Sequence, residues 1–281
     1  MSTPEPSRGA TWFTALSGIA ADDAGFRGPH GTVASVLVAD TELGNRPARV
    51  LATRPDRRNR WPRARHGELG LDEGWALAAA VRQAVAADAA GHDRRRTVVA
   101  VVDSPSQAYG YREEALAIHQ ALAAAVDAYS AARLAGHPVV ALVVGSGISG
   151  AFLAHGLQAN RILVLDDGGV TVQVMSRDST ARVTRRTVAE LEDIATRVPA
   201  TADDGATFAT LGGVHALVPV GAADAPSMAD ADVVRLAVAE AAADALTGPR
   251  DLSVRLSSAA AAQGRAPSIE VRRRLAAAWN G

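Results

Sequence analysis

The chain has no cysteine and no lysine: all 29 Lys-plus-Arg positions among its 281 residues are arginine. Without cysteine there are no disulfides, thiolate nucleophiles or zinc thiolates. Without lysine there is no Schiff base, no attachment point for biotin and no P-loop ammonium to reach a nucleotide phosphate. Aromatic residues make up only 4% of the sequence, so a core must be built mainly from Ala, Val and Leu. The formal net charge is −1, which leaves no global basic field to gather nucleic acid or an anionic membrane. No run of ~20 uninterrupted apolar residues is present, so no membrane span is expected. The N-terminal MSTPEPSRGA lacks the basic-then-apolar layout of a secretory signal, and a cytoplasmic location is expected. No two histidines stand at i, i+4 beside a carboxylate, so no metal site is expected. Asp, Glu, His, Ser, Thr, Tyr and the peptide N–H groups remain to carry chemistry.

The 48% apolar content is enough for a sizeable core, and the length suits one domain over residues 1–281. Residues 1–10 are Pro-rich and expected to be disordered. Thr32 to Asp40 and Ala48 to Thr53 read as strands about a turn at Gly44-Asn45. An Arg-rich loop follows from Arg54 to Gly70. Leu71 to Ala90 reads as an alanine-rich helix, with Asp72 and Glu73 in the first turn where the helix dipole favours acids. TVVAVV (Thr97 to Val102) is a continuous run rich in β-branched residues, and it and Val139 to Val144 read as strands buried on both faces. Arg112 to Ala135 reads as one long helix stopped by Gly136 and Pro138. Ala151 to Leu157 reads as a short helix, and Ile162 to Leu165 and Val170 to Val174 as short strands. Residues 225–281 read as a helical C-terminal region. Strand–loop–helix order through the middle makes the class α/β with largely parallel pairing.

Two loops share one design. SPSQAYG (Ser104 to Gly110) joins a buried strand to a helix, and GSGISGA (Gly145 to Ala151) joins the next strand to another. Both fall at carboxyl ends of strands in an open α/β sheet, where ligands bind. Both end at helix N-termini, whose free N–H groups and dipole favour negative charge. Two such donor sets facing one point would make an oxyanion hole. Glycine there, as at Gly145 and Gly147, lets the backbone approach a substrate oxygen.

Other readings of the same residues stay open. Gly145-x-Gly147-x-x-Gly150, with Asp166 and Asp167 about 20 residues on, fits a dinucleotide fingerprint. Gly147-Ile148-Ser149-Gly150-Ala151 nearly fits a nucleophile elbow, with Asp166 or Asp204 and His215 completing a hydrolase triad around Ser149. The remaining histidines are His30, His66, His92, His119, His137 and His155. Of these, His155 follows the glycine loop closely enough to face a pocket. Glu113 or Glu114 would serve as a base beside the first loop. Arg182, Arg185 and Arg186 form a solvated basic run.

The stretch HPVVALVVGSGISGAFLAHGLQANRILVLDD (His137 to Asp167) resembles the carboxyltransferase branch of the crotonase-like superfamily. Within that branch it is most similar to gamma subunits of biotin-independent malonate decarboxylase. Pro55 to Ala78, Val101 to His119 and Ser176 to Glu192 share the likeness, which runs from about residue 30 to about 225. The combination of PSQAYG with SGAFLAHGLQANRI carries it more specifically than either glycine loop alone.

The resemblance implies a ββα spiral acting in a hetero-oligomer with a related beta subunit. It implies decarboxylation of a malonyl thioester, held on the phosphopantetheine-type arm of an acyl carrier protein, to an acetyl thioester and CO2. No covalently bound cofactor is implied. Carried over to this chain, the oxyanion donors are backbone N–H groups of Gln107, Ala108, Tyr109 and Gly110 in the first loop. In the second they are Ser149, Gly150 and Ala151. Relatives often have Gly-Gly where this chain has Ser149-Gly150, a change that keeps the backbone donor. Arg182, Arg185 and Arg186 would then meet the arm or an acidic carrier. A non-catalytic scaffold and carrier-docking subunit is the alternative role.

Overall fold

The structure is a computed structural model that describes residues 7–89 and 94–279; His92 and residues 1–6 lie outside the described residues. Helix α1 (Arg8–Ser17) opens the chain, where the sequence suggested a disordered start through residue 10. Its signals are local. The Ser7 side chain accepts from the Ala10 N–H at 3.3 Å, and Gly18 closes the helix in the left-handed region at φ 74°. Trp12, Phe13 and Leu16 bury the inner face. The Trp12 indole N–H donates to Ala223 O at 2.9 Å.

Strands β1 (Gly25–Gly28), β2 (Gly31–Leu43) and β3 (Arg46–Thr53) form an antiparallel meander. The β2–β3 turn has Gly44 and Asn45 both at positive φ, as a two-residue hairpin requires. Helix α2 (Leu71–Ala89) leads to β4 (Thr97–Ser104), which lies parallel to β3. Next come α3 (Tyr111–Ala115), α4 (Ile118–Leu134), β5 (Val139–Ile148), α5 (Ser149–Ala154), β6 (Arg161–Asp166) and β7 (Thr171–Gln173). Then α6 (Arg177–Thr184), α7 (Val188–Ala195), α8 (Gly205–Ala209) and β8 (Ala216–Pro219) lead to the C-terminal helices α9 (Met228–Thr247), α10 (Val254–Ser257), α11 (Ala259–Gly264) and α12 (Ala266–Trp279).

The sheet order is β1-β2-β3-β4-β5-β6-β8, parallel from β3 onward. Strand β6 pairs with the first half of β5, and β7 pairs with its second half. Residues Gly145 to Ile148, which read as loop in the sequence, are strand: β7 pairs with Ser146 to Ile148, and Ser104 of β4 pairs with Gly147.

Small side chains let α2 and α4 pack closely. Ala121, Ala125, Ala128 and Ala132 form one buried stripe of α4. A Cβ on Gly74 of α2 would lie 2.7 Å from the Ala121 carbonyl. The single long helix expected from Arg112 is broken: Leu116 and Ala117 separate α3 from α4, and Ala117 sits at φ 61°. Beyond the break Ile118 packs with Ala64, Leu71, Ala108 and Ala121, a small cluster beneath the first loop. That apolar contact offsets a left-handed alanine, which costs about 1–2 kcal/mol.

Candidate active site

The first loop is held from below by a second polar segment. Leu69, fully buried, forms a parallel bridge with Gln107. The Leu69 N–H donates to Ser106 O at 2.9 Å, and the Ala108 N–H donates to Leu69 O at 2.8 Å. The Ser104 hydroxyl donates to Gly67 O at 2.8 Å. Part of the Arg-rich loop is therefore a support for the first loop.

Glu73 anchors that support. It is 1% exposed, and its carboxylate accepts from the Ser35 hydroxyl (2.5 Å), the Asn59 amide (2.6 Å) and the Gly70 N–H (3.0 Å). Burial pushes its carboxyl above the usual range, against the opposing pull of Ser35 and Asn59. The helix dipole that explains an acid in a first turn is a minor part of its role. Glu73→Ala should cost about 2 kcal/mol in urea unfolding, since it leaves buried donors unpaired. Glu73→Gln should cost distinctly less. Equal costs would mean that the carboxylate is not what holds the loop.

Donor accounting changes the expected oxyanion set. The Ala108 N–H is engaged by Leu69 O, and the Tyr109 N–H donates to Gln107 O at 2.9 Å. The N–H groups of Gln107 and Gly110 meet no acceptor among the described residues. In the second segment β5 runs to Ile148, Ser149 turns the chain at φ 58°, and α5 begins without a capping side chain from Ile148. The Gly150 N–H donates to the Gln107 side-chain Oε1 at 3.0 Å. The two loops are thus joined at one point, by a backbone-to-side-chain bond. The helices that follow them have only five and six residues. Fixed local N–H groups, rather than long helix dipoles, are what each junction offers.

The glycines divide. A Cβ on Gly145 would overlap Asp103 Oδ1 and lie 2.8 Å from Asp103 Cγ. Asp103 lies in β4, one residue before its end. Its carboxylate accepts from the Ser146 N–H at 3.1 Å and the Gly9 N–H at 3.0 Å. Gly147 has room: its Cβ would meet Phe152 no closer than 3.4 Å. Packing therefore explains Gly145 and does not explain Gly147.

His155 does not face a pocket. It is 1% exposed, with Nε2 at 2.9 Å from Val101 O and Nδ1 at 2.8 Å from the Tyr129 hydroxyl. A carbonyl can only accept, so Nε2 carries the proton and Nδ1 accepts from Tyr129. Burial pushes the imidazole down to about 4, with the Val101 bond acting the other way. Its place is in the core between α4, α5 and β4. The signal that would have revealed this is Tyr129, adjacent to Ala128 on the buried stripe of α4.

The hydrolase triad is not assembled. Leu142 pairs with Leu163, and Leu163 with Ala216, so His215 stands level with Ala141 at the amino end of the strands. Ser149 follows the carboxyl end of β5, eight residues beyond Ala141 and about 26 Å away at strand rise. Asp204 caps α8 by accepting from the Thr207 N–H at 2.7 Å. The dinucleotide reading fails as well: its first two glycines lie in β5, and Asp167 is held by Arg8 at 2.6 Å. Among the described residues no three His, Asp or Glu side chains gather as a metal site requires. No described helix is long and apolar enough to cross a membrane.

Glu113, 4% exposed, lies beside Gly110: its Oε2 is 2.6 Å from where a Cβ on that glycine would stand. Arg182, Arg185 and Arg186 sit at the far end of α6, exposed and without an ion-pair partner among the described residues. Tyr109 and Tyr111 are also exposed, at 59% and 91%. The junction is therefore an open face of this chain.

A mixed sheet that delivers two polar loops to one junction defines the class: this is a crotonase-like carboxyltransferase fold. A crystal structure of transcarboxylase 12S shares it at TM-score 0.56 and 18% identity, over 76% of this chain and 36% of that one. A family model for the malonate decarboxylase gamma subunit matches residues 64–279, and the chain belongs to that family. It is 52% identical to a chain of a Pseudomonas malonate decarboxylase hetero-tetramer solved with coenzyme A (TM-score 0.89, covering 97% of this chain and 100% of that one). It is 50% identical to a chain of the Pseudomonas MdcD–MdcE hetero-dimer (TM-score 0.86, with the same coverage). It is 36% identical over 181 residues to the malonyl-S-ACP:biotin-protein carboxyltransferase MADD of Malonomonas rubra. The match spans 63% of this chain and 62% of that relative's length.

Proposed function

We propose that this chain is the gamma subunit of a cytoplasmic malonate decarboxylase. With a beta subunit it would convert malonyl-S-acyl-carrier-protein to acetyl-S-acyl-carrier-protein and CO2. The observation that carries this reading is the junction of the two loops, where Gln107 meets Gly150 at the carboxyl ends of β4 and β5. In the reaction the bond between the carboxyl carbon and the methylene carbon breaks. Its electron pair passes to the thioester oxygen as an enolate, and the methylene carbon then takes up a proton. Preorganised donors at the enolate oxygen lower that barrier without a metal or a covalent nucleophile. A chain without lysine or cysteine can supply them.

The open junction supports completion by a partner. Exposed Tyr109, Tyr111, Leu116, Val174 and Met175 surround the ends of these strands and offer apolar area for a beta subunit. The phosphopantetheine-type arm of the carrier would bring the thioester to that interface, and Arg182, Arg185 and Arg186 are placed to meet an acidic carrier surface. The test is reconstitution. Purified beta subunit and malonyl-carrier are assayed for CO2 release with and without this chain. Turnover that depends on both subunits is expected. Charge reversal at the three arginines should raise the carrier KM and leave saturating kcat unchanged. Full turnover by the beta subunit alone would reduce this chain to a scaffold.

A further inference from the structure

One contact at the junction has a direction. The Gly150 N–H can bond only to an acceptor, so the bond at 3.0 Å fixes the Gln107 carboxamide with Oε1 toward Gly150. The Gln107 Nε2, with two N–H donors, then points the other way, and it meets no acceptor among the described residues. The side chain is half-buried rather than free. Its backbone is pinned by the Leu69 bridge. A Cβ on Gly150 would lie 3.3 Å from Oε1, 3.4 Å from Gln107 Cδ and 3.7 Å from Leu122 Cδ1. Glycine at 150 therefore leaves the space in which the carboxamide lies.

The arrangement is a short relay. The Gly150 N–H polarises the amide oxygen, and hydrogen bonds in sequence strengthen one another. The group left to meet a substrate is the Gln107 side-chain N–H, not the Gly150 N–H that the family likeness suggests. We propose that the Gln107 carboxamide, locked by Gly150, is a catalytic side-chain donor to the thioester oxygen of the substrate. This rests on the decarboxylase reading above. The choice of oxygen follows from charge. In decarboxylation the carboxylate loses negative charge and the thioester oxygen gains it. A donor aimed at the carboxylate would stabilise the ground state; one aimed at the thioester oxygen stabilises the transition state.

The test uses the complex with its beta subunit and malonyl-carrier, comparing wild type, Gln107→Met and Gln107→Glu. Methionine fills similar space without a donor, so kcat should fall at least tenfold with KM little changed. Glutamate can still accept from the Gly150 N–H, which keeps the loop in place, but an ionised carboxylate has no proton to give. Its kcat should be equally low at neutral pH and should recover relative to wild type as the pH falls and the carboxyl protonates. A purely structural role would not produce that recovery. If the wild-type complex turns over and both variants match it, the Gln107 assignment is wrong. It is equally wrong if Gln107→Met lowers KM at unchanged kcat, because the amide would then be blocking the Gly150 N–H. A wild-type complex that releases no CO2 overturns the decarboxylase reading itself.

Discussion

Alanine at Gly145 should destabilise the chain by about 3 kcal/mol, the combined scale of overpacking and of displaced charge-assisted hydrogen bonds. The added Cβ would overlap Asp103 Oδ1, so either the carboxylate or the end of β5 must move. If the carboxylate moves, the N–H groups of Gly9 and Ser146 lose their acceptor. Those two bonds tie the first turn of α1 to the far end of β5. If the strand moves, the approach to Ser149 and Gly150 moves with it, and turnover should fall along with stability. Gly147→Ala is the control, because its Cβ would meet Phe152 only at ordinary contact distance; about 1 kcal/mol or less is expected there. Urea unfolding of both variants reads the difference. Asp103→Ala should couple to Gly145→Ala, since the carboxylate that the methyl would strike is then gone, and the double variant should cost less than the sum. Equal stability of the two glycine variants would show that Asp103 yields without penalty.

The parts of the fold that were legible in the sequence are those where one local pattern decides. Val98 to Val102 and Val139 to Val144 are apolar at every position and fully buried, so periodicity was not needed to see them. The Gly44-Asn45 turn carries its own backbone signal. Residues Gly145 to Ile148 have no such pattern, because their strand character comes from pairing with Thr171 to Gln173 and with Ser104, all more than 20 residues away. Nor does any glycine or proline mark the break at Ala117; tertiary burial of Ile118 accompanies it. The glycine of Gly145 fits a ligand fingerprint equally well, and only Asp103 in space shows what it accommodates. In the candidate site both loops could be found from sequence, as strand ends followed by small polar residues. Which N–H groups remain available there could not. That depends on Leu69 consuming the Ala108 donor and on the Gln107 side chain reaching Gly150, and neither contact has a spacing in the chain. Glu73 shows the same limit: its position in a first turn is legible, whereas two of its three partners, Ser35 and Asn59, come from other parts of the chain.

Acid should destabilise this protein as the pH falls from about 6.5 toward 4, and His155 should be the main cause. Folded, the imidazole is pushed by burial down to about 4 from an ordinary 6.5. Between those values the unfolded chain binds a proton that the folded chain does not. Stability from this group is therefore fully present above about pH 6.5 and is lost as pH falls toward 4. A shift of that size corresponds to about 3 kcal/mol. The cause is specific. Both ring nitrogens are engaged in the core, and protonating Nδ1 would turn an acceptor from Tyr129 into a second donor beside a buried phenol, itself pushed above its ordinary range. His137 and His215 are also held down by burial and add to the slope in the same direction. Glu73, pushed up, acts against it. The isolating variant is His155→Gln, whose amide N–H can donate to Val101 O while its oxygen accepts from Tyr129. It should lose some packing at neutral pH but show a flatter decline between pH 6.5 and 4.5, measured by urea unfolding at each pH. The difference between the two curves, rather than their offset, reads His155 alone. Parallel curves would mean that the buried imidazole gains its proton with little penalty, and that the acid sensitivity belongs to the other histidines.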